Sequence, residues 1–347
     1  MADTRTKKVV AFGELLLRLS PPGHERLFQS PTMSATFGGG EANVAVSLAR
    51  FGLDSQFVTR LPANPVGDAA VRALRAEGVG VGGVQRGGDR VGIYFAETGA
   101  SQRASLVVYD RAHSAISELE PADVPWPEVL RGAAWFHTTG ITPALGPGPA
   151  ACTRAALDAA RAAGVPVSID LNYRRKLWSE ADAQRVMRRL VDRIDLVIAN
   201  EEDLQTVLGV RIERADVTRG QLEPEAYRAA AERVVADHGV RQVAITLRES
   251  LSASDNGWSA LLYDGPSRTL HRGPRYVLRL VDRIGGGDSF AAGLIFALLD
   301  GRAADDALRF AVAASALKQS IPGDFNRVSV AEVQHLVAGD QSGRVQR

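Results

Sequence analysis

The chain has 347 residues, of which 45% are hydrophobic, so it can bury one large core or two ordinary ones. Its 41 basic and 40 acidic side chains give a net charge of +1, and their interleaving excludes the basic patch of a nucleic-acid-binding protein. No apolar run is long enough for a membrane span or a signal segment, and Cys152 is the only cysteine. We therefore expect a soluble, cytoplasmic protein without disulfides and without a membrane or nucleic-acid partner.

The first third of the chain predicts short strands with few helices between them. Strands are expected at 8–12, 15–19, 32–37 and 55–59, and helices at 44–51 and from about 68 to 77. Residues 78–90 are rich in glycine and in charged side chains, and neither a helix nor a strand is predicted there. Two alternating segments, 91–96 and 104–109, then indicate a hairpin.

Strands and helices alternate in the rest of the chain. Strands are expected at 133–137, 166–170, 194–199, 242–247 and 258–263; helices are expected at 149–163, 180–191, 201–208, 225–238, 289–300, 303–318 and 329–338. This alternation favours a parallel sheet covered by helices on both faces, with ligands at the carboxyl ends of the strands. We expect one α/β domain over residues 1–340 and a loose tail at 341–347.

Three consecutive glycines precede the most apolar stretch of the chain. Gly285, Gly286 and Gly287 lead into Asp288, and residues 290–299 predict a buried helix that starts at Ser289 with Asp288 at or near its N-cap. Glycines before a helix start form a cradle for an anion such as phosphate. The neighbouring carboxylate can then take a proton from an attacking hydroxyl.

A second glycine run, at residues 38–40, precedes the helix at 44–51. Each run has a plainer interpretation: a tight turn into a helix, with Asp288 as an ordinary cap in the later one. No lysine follows the glycines at 285–287, so this motif is not a P-loop.

The two glycine motifs, in this order, resemble the two signatures of the ribokinase/pfkB family of carbohydrate kinases. The resemblance implies a ribokinase-like fold: a central, mostly parallel sheet flanked by helices, with a small β-sheet lid from about 14–37 and 90–112. It also implies that Asp288 is the general base and that amides of 285–287 form an anion hole. The second signature departs from the family at Arg283, where threonine is usual, and at Gly286, where alanine is usual.

Three further segments resemble the branch of that family that phosphorylates 2-keto-3-deoxygluconate, a sugar acid. They are residues 92–95, 109–112 and 170–174. Arginine suits a carboxylate because its guanidinium binds both oxygens; the alternative for each arginine is a solvated or salt-bridged surface position. The resemblance implies that the substrate contacts are Gly39, Gly40, Asn43, Tyr94, Tyr109, Arg111, Arg174 and Asp288.

The nucleotide side is carried by the same resemblance. The implied ATP contacts are Asn172, Arg174, Asn200, Thr246, Arg248, Gly285, Gly287 and Asn326. Glu202 or Asp203 would hold Mg²⁺ through water, which agrees with the preference of magnesium for oxygen ligands and retained waters. The alternative for these two carboxylates is a helix start stabilised by the dipole. Residues 322–326 match a segment that flanks a monovalent-cation site in many relatives, and the need for that cation is left open.

The sequence thus predicts an enzyme that uses ATP and Mg²⁺ to phosphorylate 2-keto-3-deoxygluconate at O6. Three alternatives remain: a kinase for fructose or ribose, a kinase for both gluconate- and galactonate-type keto acids, and a sugar-acid sensor without catalysis. The resemblance further implies a homo-oligomer.

Overall fold

The computed structural model describes residues 7–212 and 224–340, and the tail predicted for 341–347 lies outside them. The described residues form these strands: β1 (Lys8–Phe12), β2 (Leu16–Ser20), β3 (Ser34–Gly38), β4 (Asp54–Leu61), β5 (Gly80–Arg86), β6 (Ile93–Glu97), β7 (Leu106–Asp110), β8 (Ala133–Thr139), β9 (Val167–Asp170), β10 (Leu196–Ala199), β11 (Gln242–Ser250), β12 (Asp255–Asp264), β13 (Thr269–Arg272) and β14 (Tyr276–Arg279).

The same residues form these helices: α1 (Gly40–Arg50), α2 (Pro65–Ala76), α3 (Trp126–Val129), α4 (Ile141–Ala144), α5 (Pro147–Ala162), α6 (Glu180–Val191), α7 (Glu201–Asp203), α8 (Pro224–His238), α9 (Gly286–Leu299), α10 (Ala304–Lys318) and α11 (Val330–Val337). A π-helical turn, Leu204–Leu208, continues α7, and 3₁₀ turns lie at Ala115–Glu118 and Pro121–Asp123. No helix within 7–212 and 224–340 has both the length and the apolar character needed to cross a bilayer.

One large sheet organises the molecule. Its strand order is β13-β12-β11-β10-β9-β8-β1-β4-β5, and β14 also pairs with β12. The strands from β11 to β5 run parallel, whereas β12 pairs antiparallel with β11, β13 and β14. This arrangement confirms the predicted α/β class with a mostly parallel sheet.

Helices cover both faces of the large sheet because its central strands are apolar on both sides. In β1, Val10 and Phe12 belong to the core under α5, α6 and α8, whereas Val9 belongs to the core with α9 and α10. Successive strand residues point to opposite faces, so an unbroken apolar strand requires a cover on each. α9 is the most deeply buried of these helices, and a methyl group on Gly293 would lie 2.9 Å from Ala311 Cα of α10.

A separate four-stranded sheet, in the order β3-β2-β6-β7, lies over one end of the large sheet. It joins strands from the two regions that the sequence assigned to a lid. Its inner face buries Leu16, Tyr94 and Ala96, and Ile284 from the loop before α9 packs against them. The small sheet therefore covers the glycine loop.

Several elements differ from the sequence prediction. β5 occupies part of the glycine-rich stretch that received no element, and it lies parallel to β4 at the sheet edge. The antiparallel strands β13 and β14 were not predicted either. α9 begins at Gly286, three residues before the predicted Ser289, since the glycines themselves adopt helical geometry.

Candidate active site

A cavity of about 330 Å³ lies where the carboxyl ends of β9, β10 and β11 meet the lid sheet and the start of α9. It adjoins a wider cavity of about 1250 Å³, and Glu202 lines only this wider one. Parallel strands point their carboxyl ends at such a crevice, which is where α/β proteins bind ligands. The predicted site residues that line the smaller cavity are Gly39, Gly40, Asn43, Tyr94, Tyr109, Arg111, Asn172, Arg174, Asn200, Asp203, Thr246, Arg248, Gly285, Gly287 and Asp288.

The three glycines before Asp288 have different surroundings. Gly285 has φ +83°, the left-handed region that favours glycine, and a methyl group there would lie 2.3 Å from Asp324 O. Gly286 faces the protein, since its methyl would lie 3.1 Å from Gln319. Gly287 has open space, so it presents its backbone to the cavity.

The first turn of α9 lies where the sequence predicts an anion cradle from the amides of residues 285–287, and the role of these amides stays a prediction. Its cap is Gly285, and Asp288 is the third residue of the helix rather than the cap. The Gly286 amide donates weakly to Arg283 O, at 3.3 Å. The amides of Gly287 and Asp288 are first-turn amides, which have no acceptor within a helix and favour an anion.

The start of α1 brings the other glycine motif to the same place. Gly39 caps α1, and a methyl group on it would lie 2.0 Å from Glu14 O. The Gly39 amide donates to Asn43 Oδ1 at 3.2 Å, which orients the amide nitrogen of Asn43 towards Asp288. Asn43 Nδ2 donates to Asp288 Oδ2 at 2.6 Å. The two motifs, far apart in sequence, therefore meet in a direct hydrogen bond.

Asp288 is buried, and its burial makes the carboxylate more basic than an exposed one. Burial raises its pKa to about 6, and the negative charges of Asp324 and Glu41 act in the same direction. The hydrogen bond from Asn43 and the positive charge of Arg174 oppose this rise. A carboxylate with a pKa near 6 is ionised at neutral pH and still basic enough to accept a hydroxyl proton.

A buried acidic residue, Asp324, is a member of the site that the sequence reading did not assign. It is 4% exposed and lines the cavity. It accepts hydrogen bonds from Arg18 Nη1 at 2.8 Å and from Tyr94 Oη at 2.5 Å. The absence of a side chain at Gly38 makes space for the Asp324 carboxylate, because a methyl group on Gly38 would lie 2.1 Å from Asp324 Oδ2. The Tyr94 hydroxyl is thus engaged within the protein, and its role towards a substrate stays a prediction.

Arg111 follows the lid strand β7 and lines the cavity. Its guanidinium lies 4.2 Å from the centroid of the Tyr109 ring, and its Nη1 is 3.4 Å from Glu14 Oε2. Nε and Nη1 of Arg111 are buried and have no hydrogen-bond partner among the described residues. Buried donors without partners are costly, so this guanidinium is suited to an anionic ligand in the cavity.

Three more arginines line the cavity: Arg174, Arg248 and Arg283. Desolvation lowers the pKa of Arg248, and the positive charges of Arg283 and Arg174 lower it further. Mutual repulsion of this kind favours a bound polyanion, which a triphosphate provides. The sequence marks Arg283 only as a departure from the family pattern. In the structure its Nε is buried and has no hydrogen-bond partner among the described residues.

The carboxylates opposite these arginines fit a hydrated magnesium ion better than a directly bound one. Burial raises the pKa of Asp170, as do the charges of Asp203 and Asp288, while burial raises the pKa of Asp203 to about 6. Within 7–212 and 224–340, no group of three or more His, Cys, Asp or Glu side chains has metal-binding geometry. Mg²⁺ retains waters and binds phosphates with one or two carboxylates, so this arrangement suits Mg²⁺ carried by a nucleotide.

Two predicted contacts, Glu202 and Asn326, lie away from the smaller cavity. Glu202 is exposed on α7 and borders the wider cavity, whereas Asp203 is 6% exposed and accepts from the Tyr173 amide at 3.1 Å. Asn326 is 1% exposed, and its Oδ1 accepts from the Val328 amide at 3.0 Å. Their roles towards magnesium and ATP stay predictions.

Comparisons with known proteins agree with this geometry. The family model described as pfkB family carbohydrate kinase matches residues 6–326. A crystal structure of 2-dehydro-3-deoxygluconokinase from Thermotoga maritima is 50% identical, with a TM-score of 0.92, and the alignment covers 96% of this chain and 100% of that one. A 2-dehydro-3-deoxygalactonokinase from Haloferax volcanii is 32% identical, covering 97% and 99% of the two chains. A 2-dehydro-3-deoxygluconokinase from Bacillus subtilis is 28% identical, covering 93% of each.

Proposed function

Since this chain belongs to the pfkB family of carbohydrate kinases, we propose that it transfers the γ-phosphate of ATP to O6 of 2-keto-3-deoxygluconate. This sugar acid is also called 2-dehydro-3-deoxygluconate, the compound named for the Thermotoga maritima protein. The observation that carries the proposal is the guanidinium of Arg111, which lines the same cavity as Asp288 and whose buried Nε and Nη1 donate no hydrogen bond to any described residue, although Glu14 lies within ion-pair distance. A neutral sugar offers that cation no anionic partner.

Asp288 accepts the proton of the attacking hydroxyl in this proposal. The hydrogen bond from Asn43 fixes one oxygen of the carboxylate and leaves the other, Oδ1, for the substrate. The start of α1 borders this oxygen, since a methyl group on Gly40 would lie 3.7 Å from Asp288 Oδ1. In this proposal the sugar hydroxyl approaches the base alongside the start of α1.

The amides at the start of α9 hold the negative charge of the transferred group, and Arg174, Arg248 and Arg283 neutralise the rest of the triphosphate. Phosphoryl transfer depends on such positioning and charge stabilisation more than on covalent help. Bound Mg²⁺ would neutralise phosphate charge, with Asp203 and Glu202 holding its waters. The lid sheet excludes water from the cavity, which limits ATP hydrolysis.

A kinase that also accepts the galactonate-type epimer is the second candidate. The observation that favours it is the 32% identity to the Haloferax volcanii protein, which is named for the galactonate substrate. The proposed contact of Arg111 is with the carboxylate, and both epimers carry that group. Assaying both epimers separately distinguishes the candidates, since a strict enzyme discriminates by kcat/KM.

The direct test couples ADP release to a spectrophotometric readout with purified 2-keto-3-deoxygluconate and locates the phosphate by ³¹P–¹H NMR. We expect turnover that depends on the keto acid and a product phosphorylated at O6. ADP release without the sugar acid, or a phosphate at another oxygen, contradicts the proposal. Asp288→Asn is the matched blank for contaminating kinase activity.

We also propose, from the sequence alone, a cytoplasmic location and a homo-oligomer. The edge strand β7 exposes Leu106, Val108 and Tyr109, which is compatible with pairing between copies. Light scattering after size-exclusion chromatography measures the assembly state.

A further inference from the structure

A buried lysine lies close to the segment, residues 322–326, for which the sequence left the need for a monovalent cation open. Lys318 ends α10 and is 0% exposed. Its ammonium reaches the loop before α9, where Nζ donates to Asp282 O at 3.3 Å and to Ile284 O. Backbone carbonyls of this kind are the ligands that a small hard cation prefers, and here an ammonium already holds them.

The lysine lies directly beneath the anion cradle. A methyl group on Gly285 would lie 3.2 Å from Lys318 Cε and 2.3 Å from Asp324 O. The lysine stem and the backbone carbonyl of Asp324 therefore both lie against Gly285, the first glycine of the cradle. Lys318 is linked to the loop before the cradle through the carbonyls of Asp282 and Ile284.

The surrounding charges favour a single positive occupant. Burial lowers the pKa of Lys318, while the carboxylates of Asp282, Asp324 and Asp288 oppose that shift and the charge of Arg18 adds to it. Arg18 bridges two of these carboxylates, with Nη2 2.7 Å from Asp282 Oδ2 and Nη1 2.8 Å from Asp324 Oδ1. A second free cation in this desolvated space would be repelled by both side chains.

We propose that the Lys318 ammonium performs in this chain the work of a bound monovalent cation. It orders the loop at 282–285 and places one positive charge beneath the phosphate cradle, so that turnover needs no added K⁺ or Na⁺. Lys318 is a positioning residue: it acts on the transferred group through the loop and does not touch it. The kinetic part of the test rests on the proposed kinase activity, whereas the part that uses thermal unfolding does not.

The first experiment needs no variant. Initial rates of the unaltered protein are compared in tetramethylammonium chloride with and without KCl or NaCl at constant ionic strength. We expect the initial rate to change by less than about twofold, because the Lys318 ammonium already occupies the cationic site. Activation by K⁺ of about tenfold or more overturns the proposal.

The second experiment removes the ammonium and offers a substitute. Lys318→Ala leaves space for an ion, whereas Lys318→Met fills the space without charge. We expect both variants to lose about 10²-fold in turnover, on the scale of losing one oxyanion donor. NH₄⁺ or K⁺ should restore Lys318→Ala by about tenfold or more, and should not restore Lys318→Met.

Lys8→Ala is the matched control, because Lys8 Nζ also donates to two backbone carbonyls, Val129 O at 2.6 Å and Arg131 O at 3.2 Å, but far from the cavity. We expect Lys8→Ala to keep its turnover and to show no rescue by NH₄⁺. Folded Lys318→Ala that keeps its activity, or that is inactive and unaffected by NH₄⁺ and K⁺, overturns the proposal.

Thermal unfolding provides a readout without substrate. An ion that binds only the folded state raises Tm with its concentration. We expect K⁺ and NH₄⁺ to raise the Tm of Lys318→Ala above its value in tetramethylammonium and to leave the unaltered protein unchanged. A specific rise for the unaltered protein contradicts the proposal even if the kinase substrate proves to be another compound.

Discussion

Asp288 combines burial with a chemical task that requires its ionised form. Its pKa of about 6 follows from desolvation, and the Asn43 amide keeps the ionised form accessible. We predict that kcat/KM falls as the pH drops through about 6, because the base becomes protonated in the free enzyme. A pH–rate profile between the acid and neutral ranges measures this limb.

Replacing the base should remove that limb. We predict that Asp288→Asn lowers kcat by about 10²- to 10⁴-fold, the usual contribution of general base catalysis. Isothermal titration should show that the variant still binds ATP and the sugar acid. Unchanged turnover, or an acid limb that survives in the residual activity, would remove Asp288 from the role of base.

Arg111 should determine preference for a carboxylate. We predict that Arg111→Ala raises KM for the keto acid by about 10- to 100-fold, since a hydrogen bond to a charged group contributes about 1.5–3 kcal/mol. The KM for ATP should change little. Steady-state kinetics with each substrate varied in turn measures the difference.

This variant also leaves Glu14 without its ion-pair partner, at 3.4 Å in the structure. The double variant Glu14→Gln/Arg111→Ala removes that buried charge and separates lost binding from lost stability. Arg131→Ala is the exposed control, with 77% of its side chain in solvent. A KM that returns to normal in the double variant would assign the effect to stability.

Arg283 should act on the nucleotide. We predict that Arg283→Thr, which restores the usual family residue, raises KM for ATP by about tenfold and spares KM for the keto acid, because one phosphate contact of a charged type is lost. Arg279→Ala, on the exposed end of β14, is the control. An effect of Arg283→Thr on the sugar acid alone would contradict the assignment.

At the residue scale, the sequence predicted the position of the glycine loop in the cavity and missed several of its partners. Gly285 and Asp288 lie in one short motif, so the sequence alone predicts that they belong to one site, and their roles stay predictions. Asp324 and Lys318 meet the loop before α9 only in the folded chain, and neither lies in a motif that marks it as charged and buried. The sequence shows that an arginine stands at position 283, but it does not show that this residue lines the cavity, because that depends on the turn before α9.

The start of α9 makes opposite demands on two neighbouring glycines. Gly285 needs a positive φ and contact with Asp324 O, whereas Gly287 has open space and ordinary helical geometry. We predict that Gly285→Ala lowers Tm, because the left-handed conformation costs about 1–2 kcal/mol and the methyl group clashes. Gly287→Ala should keep or raise Tm, since alanine favours a helix over glycine by up to about 1 kcal/mol.

Activity should separate these variants in a different way. The methyl group of Gly287→Ala would stand in the cavity, where the phosphate approaches the amides, so we predict a higher KM for ATP in a fully folded protein. Calorimetry and steady-state kinetics on the same samples measure both quantities. A destabilised Gly287→Ala, or one with normal kinetics, would show that Gly287 does not face the phosphate.

Elements with strong patterns were predictable, and those with weak patterns were not. The apolar runs of β1, β8 and β10 and the amphipathic α6 agree with their predicted ranges to within a few residues. β5 contains Gly80, Gly82 and Gly83, whose missing side chains erase the alternation that marks a strand. β13 and β14 have only four residues each, and they form because β12 offers them an antiparallel partner.

For the whole molecule, the site carboxylates reduce stability at neutral pH. The pKa of Asp288 and that of Asp203 are raised to about 6 in the folded state, above the ordinary value near 3.8. Folding therefore binds protons, and the stability from this source is complete below pH 3.8 and is lost as the pH rises through about 6.

We predict that Asp288→Asn raises Tm at pH 8 and that this gain shrinks as the pH falls below about 6 and vanishes near 4, where the native carboxyl is also neutral. Calorimetry across this range measures the difference. A gain that is the same at pH 8 and pH 4 would contradict a raised pKa for Asp288.

The most direct test of the central claim compares kcat/KM for 2-keto-3-deoxygluconate with that for fructose, in the unaltered protein and in Arg111→Ala. We predict a preference of about 100-fold or more for the keto acid, since only a carboxylate can form a charge-assisted hydrogen bond with Arg111, and a much smaller preference in the variant. Equal use of both sugars by the unaltered protein would contradict the proposed carboxylate site while leaving the kinase family and the fold in place.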